Sequence, residues 1–199
     1  MPSDVPTAPR FRRPAPADAV DVARELLDAG ERVDIQAVAR GLGVSRATVH
    51  RWFGTRDQLL TALFEHLAAE FTEAAEAAAR GSGDDRAFDF VRRIAAATAS
   101  YPPLRITAAR EPAVVLRLVL AEDGPVHGRV VASLTRLFAA SRTPAQMRRL
   151  AGTIDTFAAA VIALHWATIA AGGEPDLARY EQIGRALLAD AAGPGARRR

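Results

Sequence analysis

Polar and basic side chains cluster between residues 45 and 56, and their types suit contact with double-stranded DNA. Arg46 is the candidate for a guanine edge because a guanidinium pairs with two acceptors there, and Thr48 is a candidate for a thymine methyl or a phosphate. Gln36 is a further phosphate candidate. The predicted DNA-binding residues are Gln36, Ser45, Arg46, Ala47, Thr48, His50, Arg51 and Arg56.

Two short helices joined by a turn would position these side chains. Gly43 stands where the turn requires a positive φ, Ser45 can cap the second helix, and Ala39 is small where the helices cross. The buried side would come from Val38, Leu42, Val44, Val49 and Trp52. This pattern predicts a helix-turn-helix whose second helix presents its amino end to the major groove. An ordinary helical hairpin is the alternative, but it does not explain polar side chains around a helix start.

Outside the helix-turn-helix, apolar residues recur at the spacing of α-helices along the rest of the chain. A first helix is predicted from Ala17 to Ala29, and Asp34 and Thr55 are predicted caps of the second and fourth helices. The fourth would continue to about Ala79, followed by a helix around residues 88–101 and an irregular, proline-broken segment. Further helices are predicted near residues 112–122, 126–140, 144–172 and 175–191. The chain should therefore be all-α.

Composition limits the function classes. With 49% hydrophobic and 25% charged residues in 199, and no segment that approaches the length of a membrane span, we expect a soluble cytoplasmic protein without membrane contact. The absence of cysteine excludes disulfides and thiol catalysis. The net charge of +3 does not by itself indicate nucleic acid, and every basic side chain is Arg rather than Lys. The arrangement of these arginines is more informative, since Arg46, Arg51 and Arg56 surround the predicted recognition helix.

The stretch GVSRATVHRWFGTRDQLL resembles the amino-terminal domain of TetR-family transcriptional regulators, over roughly residues 17–66. His50 stands where the family most often has Tyr, Trp52 where it often has His, and Arg56 where a Lys usually opens the next helix. The longer stretch GERVDIQAVARGLGVSRATVHRW also resembles the branch that controls degradation of lactone quorum signals.

The resemblance implies an all-α fold with an amino-terminal three-helix helix-turn-helix DNA-binding domain and a carboxy-terminal helical bundle for ligand binding and dimerisation. The predicted divisions are a flexible basic arm (1–16), the DNA-binding domain (17–66), the ligand-binding and dimerisation domain (67–191) and a disordered tail (192–199).

The resemblance also implies a ligand cavity between the carboxy-terminal helices and a homodimer formed by the last two long helices. Candidate ligand contacts are Phe90, Thr98, Tyr101, Arg110, His127, Phe157, His165 and Trp166. Candidate dimer contacts are Ala159, Ala163, Ala170, Leu177, Tyr180, Ile183 and Leu187. For each residue the alternative is a structural role within its own subunit.

The predicted function is a ligand-responsive dimeric repressor that binds a palindromic operator in double-stranded DNA and is released by a mostly hydrophobic effector such as a lactone or acyl compound. One alternative is an activator or partner-dependent regulator of the same fold without a small-molecule effector. Another is an enzyme in which His127 or His165 works with Glu111, Glu122 or Asp155. Because the sequence contains no nucleophile elbow, phosphate loop or metal-ligand spacing, we predict no enzymatic activity, no cofactor and no metal.

Overall fold

The computed structural model describes residues 12–191, which form ten α-helices and contain no strand. Most of the predicted basic arm and all of the predicted tail lie outside the described residues. Four helices come first: α1 (Pro16–Asp28), α2 (Ile35–Leu42), α3 (Arg46–Phe53) and α4 (Arg56–Ala78). Six follow: α5 (Gly83–Ala99), α6 (Pro102–Arg110), α7 (Pro112–Val119), α8 (Pro125–Ala139), α9 (Pro144–Ala170) and α10 (Leu177–Ala191).

The helix starts are set by local side-chain chemistry. The Asp34 carboxylate accepts from the Ala37 amide at 2.8 Å, and the Thr55 hydroxyl accepts from the Gln58 amide at 3.2 Å. Each cap pairs an amide that has no partner within the helix. Helices α6, α7, α8 and α9 each begin with proline, whose fixed φ suits the first helical turn. The predicted caps at Asp34 and Thr55 are confirmed.

One hydrophobic core runs through the amino-terminal helices and the bundle. Helix α4 connects the two parts, because it packs against α1 as well as against α5 and α8. The predicted domain division at residues 66 and 67 falls inside α4. The predicted division therefore cuts a continuous helix that contributes to both parts.

Helix α9 is long and apolar enough to cross a membrane, which differs from the expectation that no segment approaches a span. It also contacts α6, α7, α8 and α10, and its buried side chains recur on several sides. A central bundle helix has the same composition as a span because it, too, is surrounded by apolar groups.

Helix α10 approaches α5 and α9 at Gly184. A Cβ built on this glycine would lie 2.4 Å from Cε1 of Phe88 and 2.8 Å from Cζ of Phe157. Glycine permits the close approach because any larger residue would displace an aromatic ring.

Candidate DNA interface and ligand cavity

The start of the recognition helix α3 is fixed by Ser45. Its hydroxyl accepts from the Thr48 amide at 3.1 Å and lies 2.9 Å from the Thr48 hydroxyl. Gly43 adopts φ 65°, which makes the predicted turn into α3, and Val49 is fully buried on the opposite side of the helix. The predicted turn and Ser45 cap are confirmed, and they hold the amino end of α3 toward solvent.

The outer surface of α3 carries most of the predicted DNA contacts. Ser45, Arg46, Ala47, His50 and Arg51 are exposed, and Thr48 is half-buried. Gln36 is exposed on α2 and shares a shallow depression with Arg46 and His50. The fold thus brings Gln36, Arg46 and His50 to one place, where their donor groups can meet phosphates and base edges. Trp52 is partly buried against the core, as predicted.

Arg56 lines the same depression as Gln36, Arg46 and His50, and its guanidinium is also hydrogen-bonded within the protein. Its Nε donates to the Val33 carbonyl at 2.7 Å, and both of its terminal nitrogens donate to the Glu111 carboxylate at 2.8 Å. The Arg56 side chain is 21% exposed and that of Glu111 is 27% exposed. Arg56 therefore remains a predicted DNA contact that also joins the two domains, and direct binding of phosphate would require this bidentate pair to break.

Further polar contacts join the α6–α7 region to α1, the loop after α1, and α4. Arg110 donates to the Gly30 carbonyl at 2.6 Å, and Arg117 donates to Asp57 at 2.7 Å. The Tyr101 hydroxyl donates to Asp28, the last residue of α1. Together with the Arg56–Glu111 pair, these contacts form an interdomain clamp between α1, the α1–α2 loop and the start of α4 on one side and the α6–α7 region on the other.

An apolar cavity of about 70 Å³ lies inside the bundle. Its walls come from α4, α5, α6, α7, α8 and α9. Thr98, Phe157, His165 and Trp166 were predicted ligand contacts and line this cavity. Sequence reasoning missed the walls supplied by α4 and α8, which include Phe64, Leu67, Phe71, Val130 and Leu134. Their only signal was helical apolar spacing, which is the same for a core and for a cavity wall.

The polar atoms beside the cavity are paired with one another. The Thr98 hydroxyl lies 2.8 Å from the Ile94 carbonyl and 2.9 Å from Nε2 of His165, and Nδ1 of His165 lies 3.2 Å from the Tyr180 hydroxyl. A single arrangement of protons satisfies the series: Tyr180 donates to Nδ1, Nε2–H donates to Thr98, and Thr98 donates to Ile94. This polar series, Tyr180–His165–Thr98, uses its donors internally.

Burial keeps the polar series neutral. His165 is 4% exposed, and loss of hydration lowers the pKa of its imidazole to about 4. Tyr180 is fully buried, and loss of hydration, together with the nearby charge of Asp176, raises the pKa of its phenol to about 12. At neutral pH the cavity therefore presents apolar surface and uncharged, already paired polar atoms.

The other four predicted ligand contacts do not line the bundle cavity. Phe90 is fully buried in the core on another side of α5, and Tyr101 contacts Asp28 and the Phe71 ring. His127 is buried, and its Nε2 lies 2.8 Å from a carboxylate oxygen of Asp155. Arg110 lines a separate interdomain cleft. None of these four side chains therefore lies on the wall of the bundle cavity.

The predicted dimer contacts differ in exposure. Ala163 is exposed, and Ala159 and Ala170 are half-buried on the outer side of α9. Leu177, Ile183 and Leu187 on α10 are half-buried against the core of their own protomer. Tyr180 is fully buried and engaged with His165, so we withdraw it as an interface candidate.

Comparison with known proteins agrees with this architecture. Residues 82–189, more than half of the chain, match the family model of the tetracyclin repressor-like carboxy-terminal domain. The TetR-family transcriptional repressor QsdR from R. erythropolis superposes with a TM-score of 0.74 at 22% identity, over 87% of this chain and 94% of QsdR.

The TetR-family repressor AlkX from Dietzia sp. strain DQ12-45-1b, implicated in biodegradation of n-alkanes, superposes with a TM-score of 0.61 at 20% identity, over 91% of this chain and 97% of AlkX. No curated protein matches the sequence. The family-model match, joined to an exposed recognition helix and an all-helical bundle, shows that this chain belongs to the TetR family of transcriptional regulators.

Proposed function

We propose that the chain is a dimeric repressor that binds a palindromic operator and is released by a mostly hydrophobic small molecule. The observation that supports this most directly is the position of α4. This helix forms one wall of the apolar cavity, and only two residues separate its start from the end of the recognition helix. We further propose that it acts in the cytoplasm, where the operator DNA is, and without catalysis.

Coupling would follow from the size of the cavity. A volume of about 70 Å³ is well below the roughly 300–1,000 Å³ of most small-molecule sites, so an effector must push the walls apart. Side chains of α4 that would be pushed include Phe64, Leu67 and Phe71. Displacing α4 would change the separation of the two recognition helices in a dimer, which must match major-groove sites about 34–36 Å apart.

The proposed effector class follows from the cavity wall. Because the polar series is satisfied internally, a ligand with few hydrogen-bonding groups loses least on entry. An acyl chain or an acyl-substituted lactone meets this requirement. AlkX is implicated in biodegradation of n-alkanes, which makes an alkyl chain a reasonable first probe.

Dimerisation is proposed through the outer faces of α9 and α10. Ala159, Ala163 and Ala170 leave little side-chain bulk on α9, so a second copy could approach closely in an isologous contact. Sedimentation of purified protein across a concentration series tests this part.

The decisive experiment is binding to a duplex from the chain's own upstream intergenic DNA, against a scrambled duplex at a fixed ~150 mM salt, because phosphate contacts make affinity strongly salt-dependent. Wild type should prefer its own duplex, and Arg46→Ala should lose that preference by about 1–3 kcal/mol. Arg148→Ala is the matched control, since Arg148 is exposed on α9 away from α3. Equal losses in both variants would contradict the proposed role of Arg46.

Effector release is tested in the same assay with a series of acyl lactones. Coupling is reciprocal and typically ~1–3 kcal/mol, so an effector should weaken operator binding by the factor by which operator weakens effector binding. Equal effector affinity with and without operator would refute the release mechanism.

The small cavity also favours a second candidate, an activator or partner-dependent regulator of the same fold without a small-molecule effector. In that case the duplex preference and its loss in Arg46→Ala remain, while no apolar compound changes operator affinity. The two candidates are therefore separated by the lactone series alone.

A further inference from the structure

A second cavity, the interdomain cleft, lies between α1, the α1–α2 loop and α4 on one side and α6 and α7 on the other. Its volume is about 370 Å³, which is within the range of roughly 300–1,000 Å³ for small-molecule sites, whereas the bundle cavity is about 70 Å³. Of these two cavities, only this interdomain cleft already has the size of a ligand site without movement of its walls.

The floor of the interdomain cleft is apolar. Leu27 is 2% exposed, Leu60 and Phe64 are each 4% exposed, and Val115 is 1% exposed. Phe64 also lines the bundle cavity, so this side chain belongs to the walls of both. An aliphatic group lying on this floor would lose its contact with water. This burial would stabilise the complex by about 25 cal/mol per Å² of buried apolar surface.

The rim of the interdomain cleft is cationic. Three arginines, Arg32, Arg56 and Arg110, line it against two acids, Glu31 and Glu111. Glu111 is paired in bidentate fashion with Arg56, so this pair contributes little net charge. Arg32 and Arg110 then stand against Glu31 alone, which leaves one excess positive charge on the rim.

Arg32 and Arg110 retain donors for a ligand. The Arg32 side chain is 69% exposed, and its Nε lies 4.0 Å from a Glu111 oxygen, beyond hydrogen-bond distance. Arg110 uses Nη1 for the Gly30 carbonyl, and its Nε and Nη2 have no hydrogen-bond partner between residues 12 and 191. Guanidinium groups of this kind bind carboxylates through paired N–H donors.

We propose that the interdomain cleft is a binding site for medium-chain aliphatic carboxylates, with the carboxylate on Arg32 and Arg110 and the chain on the Leu27–Leu60–Phe64 floor. Arg32 belongs to the helix-turn-helix part and Arg110 to the bundle, so the bound carboxylate bridges the two. This site is separate from the bundle cavity, and it does not depend on effector release from DNA.

The test is calorimetric titration of the full-length protein with octanoate, octanol and acetate. Octanoate should bind at least tenfold more tightly than octanol, which lacks the charge, and than acetate, which lacks the chain. The double variant Arg32→Met/Arg110→Met keeps the aliphatic stems and should lose octanoate affinity at least tenfold while its octanol affinity is unchanged. Arg148 is exposed and lies outside the cleft, so the control variant Arg148→Met should bind octanoate as tightly as wild type does.

Three outcomes would overturn the proposal: no octanoate binding to wild type at millimolar concentration, equal affinity for octanoate and octanol, or unchanged octanoate affinity in the double variant. Circular dichroism of each variant excludes loss of folding as the cause of lost binding. Operator DNA is absent from the titration, so failure of the proposed repressor function would leave the result intact.

Discussion

Mild acid should destabilise the folded chain through His165. Burial lowers the pKa of this imidazole from 6.5 to about 4, so between these values the unfolded chain binds a proton that the folded chain does not. The stabilising contribution is complete above pH 6.5 and is lost as pH falls toward 4. At about 1.4 kcal/mol per pH unit, the loss is roughly 2 kcal/mol between pH 7 and pH 5 and roughly 3 kcal/mol by pH 4.

The hydrogen-bond geometry around His165 also predicts that acid lowers the free energy of unfolding. A protonated His165 carries hydrogen on both nitrogens, so Nδ1 can no longer accept from the Tyr180 hydroxyl, and the charge lies in an apolar cavity wall. The variant His165→Gln keeps a donor and an acceptor but has no group that titrates in this range. Its unfolding free energy should fall by about 2 kcal/mol less than that of wild type between pH 7 and pH 5.

Urea unfolding at the two pH values measures this difference. Protomer concentration must be fixed, because dimerisation would shift the apparent stability. His66→Gln is the matched control, since His66 is exposed on α4, and it should retain the wild-type pH dependence. The reasoning is refuted if His165→Gln loses as much stability as wild type does over this pH range.

Two further predictions concern packing and the interdomain clamp. Gly184→Ala should reduce the unfolding free energy by about 1–3 kcal/mol because its methyl group would overlap the Phe88 and Phe157 rings. Gly152→Ala, at an exposed position of α9 with open space for the methyl group, should be neutral or stabilising by up to about 1 kcal/mol; equal effects in urea unfolding would contradict this account. Glu111→Gln should cost about 1–2 kcal/mol in the same assay, since it removes a partly exposed, bidentate charge pair. In a double-mutant cycle with Arg56→Gln the two losses should not add, and additive losses would mean that the pair contributes no coupling.

The sequence was sufficient where the determinants are local. The Ser45, Asp34 and Thr55 caps each depend on one side chain and an amide three residues away, and the Gly43 turn depends on a positive φ that glycine adopts readily. Such contacts are encoded by spacing alone, and they were predicted correctly.

Contacts between distant residues were not predictable in this way. Arg56 and Glu111 are 55 positions apart, and in the sequence each looks like an ordinary charged surface residue. Their pairing depends on how α7 docks beside α4, and helical periodicity carries no information on that docking. The engagement of Arg56 with Glu111 was missed for this reason.

For a related reason, the sequence could only partly separate residues that line the cavity from residues that are buried in the core. Phe90 and Val91 are adjacent on α5, yet Val91 lines the bundle cavity and Phe90 is buried elsewhere. Both are apolar. Because α5 is buried on two sides, both positions fit the helical spacing of apolar residues equally well. Which one faces empty space is decided by the shapes of the neighbouring helices.

The internally satisfied Tyr180–His165–Thr98 series has a consequence for selectivity. Because the Thr98 and His165 atoms on this wall are already paired, the series offers a guest no free donor, and compounds should be discriminated mainly by length and shape. One methylene more or less in an apolar pocket changes affinity by only about 10- to 200-fold. A homologous set of apolar compounds should therefore produce a graded response with one best chain length. Changes of wall residues such as Leu134 or Val130 should move that optimum along the set without abolishing the response.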